Sequence, residues 1–209
     1  MLGEKKNSTI NNHRASIKSF CRYLFEVYDI PNATQKIRKF KEDMPNQPFI
    51  NNGEYLKILV AATQRESDII KMLANTGLRC SELAGLRPEN ISPNLSSLRI
   101  CGKGSKIRTI PCNQTVREII SRRGINFPKN RKTIYNACHC AGLRAKIHIA
   151  PHMLRRYFAT QLLNKGVSLL IISRLLGHSN IQTTEIYLKL DASFLEGSTD
   201  VLDQDVLTQ

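Results

Sequence analysis

A chain of 209 residues can bury a substantial core, as one large domain or as a domain with a small appendage, and is too short for a multi-domain machine. Its 31 Lys and Arg against 17 Asp and Glu give a formal charge of +14 and a pI near 9.8, so the expected partner is a polyanion, nucleic acid first. No run approaches the roughly 18 apolar residues that span a bilayer, and residues 1–8 are polar and charged rather than signal-like, which excludes a membrane partner and favours a cytoplasmic, nucleoid-associated protein.

The charge is unevenly placed. Residues 191–209 hold Asp191, Glu196, Asp200, Asp203 and Asp205 and no Lys or Arg, which leaves +19 on residues 1–190. Six cysteines (Cys21, Cys80, Cys101, Cys112, Cys138, Cys140) lack the CxxC pairs of a zinc ribbon and the density of a disulfide scaffold, so reduced, mostly buried thiols are expected. The triplet Cys138-His139-Cys140 cannot easily wrap one tetrahedral ion, and no metal or other cofactor is expected.

In chain order, Ile10, Ile17, Phe20, Leu24 and Tyr28 recur at helical spacing and predict an amphipathic helix over 9–28, ended by Pro31. The basic stretch Lys36, Arg38, Lys39, Lys41 and then Pro45 and Pro48 read as a linker without regular structure. Asn51 or Asn52 can cap a helix running to about Thr63; a second runs from Ser67 to the stop signal Asn75-Thr76-Gly77, and a short third covers 81–86. The period then changes: Leu98 and Ile100 alternate with polar residues, Gly102-Lys103-Gly104 turns the chain, and 107–111 is extended again, a β-hairpin with a lysine at its tip. Further helices are expected at about 113–123, 131–141, 152–165, 168–176 and 181–190. The fold class is therefore mainly α with a small antiparallel β-sheet, with a boundary near residue 45.

Four local motifs stand out: Thr76-Gly77-Leu78-Arg79-Cys80-Ser81-Glu82-Leu83, Gly102-Lys103-Gly104-Ser105-Lys106, Pro151-His152-Met153-Leu154-Arg155, and Leu176-Gly177-His178 followed nine residues later by Tyr187. Singly each is weak: an Arg after a Gly is usually a solvated charge, a hairpin Lys an edge-strand gatekeeper, and a helical Tyr a packing residue. Together, in this order and local spacing, they resemble the tyrosine recombinases, the family of the Xer, Cre and phage integrase enzymes, over about residues 50–190.

The resemblance implies a site-specific recombinase that cuts and rejoins DNA through a 3′-phosphotyrosyl intermediate, without ATP or metal. A phosphodiester repels nucleophiles and has a poor alkoxide leaving group, so the reaction needs cations on the nonbridging oxygens, a nucleophile and an acid. By resemblance the catalytic residues are Arg79, Lys103, His152, Arg155, His178 and Tyr187. Planar, permanently charged Arg79 and Arg155 suit bidentate phosphate contacts, and their mutual repulsion favours a phosphate-filled site. His178 donates to the same phosphate. His152 and Arg155, three apart at a helix start, project from one face, with Leu154, Phe158 and Leu162 anchoring that helix. Tyr187, whose free phenol has a pKa of about 10, attacks phosphorus with His152 as base, and Lys103 protonates the leaving 5′-oxygen.

Lys36, Arg38, Lys39, Lys41, Lys106 and Arg108 are the expected DNA contacts. Residues 1–45 read as a short helical segment and basic linker, the remnant of a core-binding domain; 46–190 as the catalytic domain; and 191–209 as an acidic tail whose Phe194, Leu195, Val201, Leu202 and Val206 can dock on a neighbouring protomer. Double-stranded DNA and further copies of the chain are the implied partners. The alternatives are a noncatalytic or truncated DNA-binding descendant of a recombinase and a type IB topoisomerase-like relaxing activity.

Overall fold

The computed structural model describes residues 7–41, 49–102 and 107–177. The chain divides into two units, Met1–Gln47 and Pro48–Gln209. In the first, helix α1 (Asn7–Tyr28) ends as Asp29 turns left-handed (φ 55°), two residues before Pro31. The segment expected to be a linker without regular structure has none over residues 37–41, yet side chains of α1 hold it. Residues 37–41 run back along α1, tied by side chains one and two turns apart. Asn7 Nδ2 donates to the Lys41 carbonyl (2.9 Å), Asn11 Nδ2 to the Phe40 carbonyl and Phe40 N–H back to Asn11 Oδ1 (both 2.9 Å), and Arg14 Nε and Nη2 to the Ile37 carbonyl (3.0 and 2.9 Å). Backbone groups that no helix or strand satisfies are thus satisfied by the polar face of a helix. The apolar stripe of α1 stays largely uncovered, with Ile17, Phe20 and Tyr28 exposed.

The second unit contains α2 (Asn52–Ala61), α3 (Gln64–Thr76), α4 (Cys80–Ala84), a 3-10 turn (Pro88–Asn90), strands β1 (Ser97–Cys101) and β2 (Ile107–Pro111), α5 (Gln114–Arg123), α6 (Arg131–Ala145), α7 (Pro151–Asn164) and α8 (Leu169–Leu176). Two helix ends differ from expectation by more than two residues. Thr63 does not close α2; it caps α3, with Glu66 three residues on returning a bond to the Thr63 N–H (2.8 Å), so α3 starts at Gln64 rather than Ser67. Helix α6 runs four residues past 141, through Gly142. That glycine is a contact point rather than a stop, because a Cβ there would lie 2.4 Å from the Ile149 side chain and 2.5 Å from the Ile147 carbonyl. The expected helix at 181–190 lies outside the described residues.

Helix α3 is the axis of the core. Ile69, Ile70, Met72, Leu73 and Ala74 are buried as α5, α6 and α7 pack around it. The antiparallel pair β1–β2 sets Leu98 opposite Ile110 and Ile100 opposite Arg108, and Leu98, Ile100 and Ile110 form its buried face. Leu154 and Phe158 hold α7 inward, while Tyr157 stacks on Tyr55 of α2 at 4.6 Å between ring centres. No described helix is long and apolar enough to cross a membrane.

The cysteines depart from the expectation of mostly buried thiols: all six are unpaired, but only Cys112 and Cys138 are buried, and Cys101 and Cys140 are exposed. In the triplet, Cys138 faces the core while His139 and Cys140 face away from it.

Candidate active site

The motifs that begin at Thr76 and Pro151 and the Leu176-Gly177 start of the last one meet in the second unit, joined by hydrogen bonds. Arg155, on the second turn of α7, is 1% exposed and donates from Nη1 to the Gly77 carbonyl and from Nη2 to the Leu176 carbonyl, both at 2.5 Å. It joins the turn before Arg79 to the helix end before His178. These carbonyls terminate α3 and α8, where the helix dipole is negative, so each favours a cation.

Arg79 caps α4 and is more open, its side chain 37% exposed, with Nη1 3.0 Å from Glu82 Oε1. Its backbone N–H donates to Glu82 Oε2 at 2.8 Å. Glu82, its side chain 8% exposed, also takes both Nη1 and Nη2 of Arg108 at 2.9 and 2.7 Å, and Arg155 Nη1 lies 3.9 Å from it. Burial alone would raise the Glu82 carboxyl, but the Arg108 hydrogen bonds, the Arg79 N–H and the charges of both arginines bring it down to about 2. One carboxylate thus serves three arginines. The repulsion expected between Arg79 and Arg155 in an empty site is relieved by Glu82, a residue inside the first motif to which no role is given by the sequence alone. Its legible signal is an acid three residues after Arg79 at the start of a helix.

His152, one turn before Arg155, is exposed whereas Arg155 is enclosed. The two do not share an environment, although they share a helix. Partial burial, then the positive charges of Arg155 and Arg79, hold the imidazole below its usual value, so it is neutral and able to accept a proton near pH 7. This places His152 within the electrostatic reach of both arginines.

Arg108, expected to contact DNA, is instead enclosed: its side chain is 8% exposed, Nε donates to the Leu175 carbonyl at 2.8 Å, and both Nη atoms are held by Glu82. Lys36, Arg38, Lys39 and Lys41 are exposed on the segment that lines α1. Lys103, Lys106, His178 and Tyr187 lie outside the described residues. The structure therefore brings together Arg79, His152, Arg155, Glu82 and Arg108, at the points where the chain departs toward Lys103 and His178. Among the described residues no cluster of His, Cys, Asp and Glu is arranged to hold a metal ion.

A model of the phage integrase family matches residues 48–193, which take in all four motifs. The chain belongs to this family, that of the tyrosine site-specific recombinases. The tyrosine recombinase XerA of Pyrococcus horikoshii is 33% identical over 199 residues, covering 86% of this chain and 68% of XerA. Two solved structures are similar in fold. The crystal structure of XerA recombinase has a TM-score of 0.64 at 20% identity over 90% of this chain and 82% of that one. XerH site-specific recombinase, bound to its difH substrate in a pre-cleavage complex, has a TM-score of 0.69 at 21% identity over 96% of this chain and 67% of that one. The mainly helical fold with one small antiparallel sheet is that of these recombinases.

Proposed function

We propose that this recombinase cuts and rejoins double-stranded DNA with Tyr187 as nucleophile, at a phosphate held by Arg79, Arg155 and His178. The observation that carries the reading is the bonding of Arg155 to Gly77 and Leu176, which gathers three motifs at one cation. Arg79, half-open and tethered on one side by Glu82, presents remaining donors to a phosphate oxygen. Neutral His152 accepts the phenolic proton as the Tyr187 oxygen bonds to phosphorus. The P–O bond to the 5′-oxygen breaks, and Lys103 supplies the proton that this oxygen takes up. The 3′-phosphotyrosyl bond conserves the energy of the broken ester, so a second 5′-hydroxyl reverses the step and regenerates the phenol.

The +14 charge supports a DNA partner, and XerH is named as bound to a DNA substrate. Self-assembly on DNA, with residues 191–209 docking on a neighbouring copy, is supported by the apolar residues of that tail. In the same reading residues 46–190 are the catalytic domain and Lys36, Arg38, Lys39, Lys41 and Lys106 contact DNA. The test is incubation with nicked suicide duplexes built from the DNA flanking the gene. A covalent protein–DNA adduct that disappears in Tyr187→Phe is expected. An adduct that persists in Tyr187→Phe, or none from the wild type, overturns the proposal.

A further inference from the structure

The expected catalytic groups, together with Glu82, make a phosphate clamp in which Arg108 has no assigned part, yet Arg108 also joins separate pieces of it. It lies on β2, whose start at Ile107 follows directly on the hairpin tip that carries Lys103, and in register opposite Ile100. From there its guanidinium reaches two other motifs, closing a two-pronged ion pair on Glu82 and a hydrogen bond on the Leu175 carbonyl. Gly177 lies against it: a Cβ at that left-handed position (φ 67°) would approach Arg108 Cδ to 3.0 Å, so the glycine leaves room for the arginine side chain. With both Nη atoms on a buried carboxylate, this charge is directed inward rather than toward a DNA backbone.

We propose that Arg108 is a positioning residue of the strand-transfer site, fixing Arg79 through Glu82 and the end of α8 through Leu175 and Gly177, so that β2, the start of α4 and the end of α8 are set together. The proposal rests on the recombinase reading of Arg79, Lys103 and His178. Without Arg108, the Glu82 carboxylate loses two donors and turns toward Arg79 and toward Arg155, now 3.9 Å away, cancelling charge that the phosphate requires. Lysine cannot substitute, since a single ammonium cannot span both carboxylate oxygens and a carbonyl.

Arg108→Gln and Arg108→Lys, made in the full chain, test this by two measurements. On a nicked suicide duplex at saturating protein, the cleavage rate constant is expected to fall about 100-fold, with DNA affinity changed less than about threefold. In NMR titrations, with the signal assigned through His152→Gln, the His152 midpoint is expected to move upward, because Glu82 then offsets more of the Arg79 and Arg155 charge. Parallel loss of affinity and cleavage would mark Arg108 as a DNA contact and overturn the proposal, as would unchanged cleavage or an unmoved His152 midpoint in a folded variant. Should Arg108→Gln fail to fold, Arg108→Lys keeps the charge and carries both measurements. If the wild type forms no adduct, the recombinase reading fails and the strand-transfer role falls with it, whereas a wild-type adduct with cleavage unchanged in folded Arg108→Gln overturns the positioning role alone.

Discussion

Two enclosed carboxylates of the second unit, Glu82 and Asp68, each gather arginines, and they do so for different ends. Asp68, 3% exposed, takes Arg122 at 2.5 Å and Arg123 at 3.1 Å, both from the last turn of α5, and so ties that helix to the first half of α3. Glu82 takes one arginine from its own helix start and one from β2, and a third from α7 approaches it. The first acid fastens one pair of helices. The second gathers cations from separate motifs, at a concentration of positive charge that only a bound anion or an internal acid makes stable. Burial and ion pairing alone do not distinguish a scaffold from a site; the number of separate chain segments that meet at the acid does.

The largest effect expected is from Arg155→Ala, which leaves two helix-end carbonyls without their buried cationic donor. Cleavage should become undetectable, with stability reduced by about 3–5 kcal/mol in chemical denaturation; an active, equally stable variant would break the contrast between site and scaffold. Glu82→Gln comes next: single-turnover cleavage should fall about 100-fold while the duplex is still bound. Asp68→Asn should do the reverse, costing about 1–3 kcal/mol of stability and leaving cleavage by the folded protein within about threefold of wild type. Comparable cleavage losses in these two variants would erase the distinction.

Acid sharpens the comparison further. The Glu82 carboxyl is held at about 2 in the folded chain against an ordinary 4.5, so its stabilisation is present above pH 4.5 and is lost as pH falls toward 2. Between pH 5 and pH 3 the wild type should lose about 2 kcal/mol more than Glu82→Gln, measured by denaturant unfolding at each pH. The smallest effect belongs to the first unit: Asn11→Ala removes the paired bonds to Phe40 and should cost about 1 kcal/mol, read as faster proteolysis at Arg38 and Lys39.

The motifs that meet at Arg155 are legible in the sequence because each carries its own local grammar: a glycine helix stop before Arg79, a proline at the start of α7, a glycine stop before His178. The role of Glu82 was not legible, since a glutamate three residues into a helix also reads as an ordinary cap, and only the tertiary fold brings Arg108 to it. The start of α3 is written in the Thr63–Glu66 capping box, but Thr63 lies so close to the end of α2 that it fits either helix. The bonding of 37–41 to α1 joins residues more than twenty apart through asparagines and an arginine, a pattern without periodicity.

The opposition of Ile100 and Arg108 in the hairpin has a consequence for how this enzyme can vary. Strand faces alternate, so a slip of one residue in β2 turns Arg108 outward and brings an exposed neighbour, Ile107 or Thr109, to Glu82. An insertion at the Lys103 tip that leaves the Ile100–Arg108 pairing in place is therefore tolerated, whereas one that shifts β2 by a single residue disconnects the site.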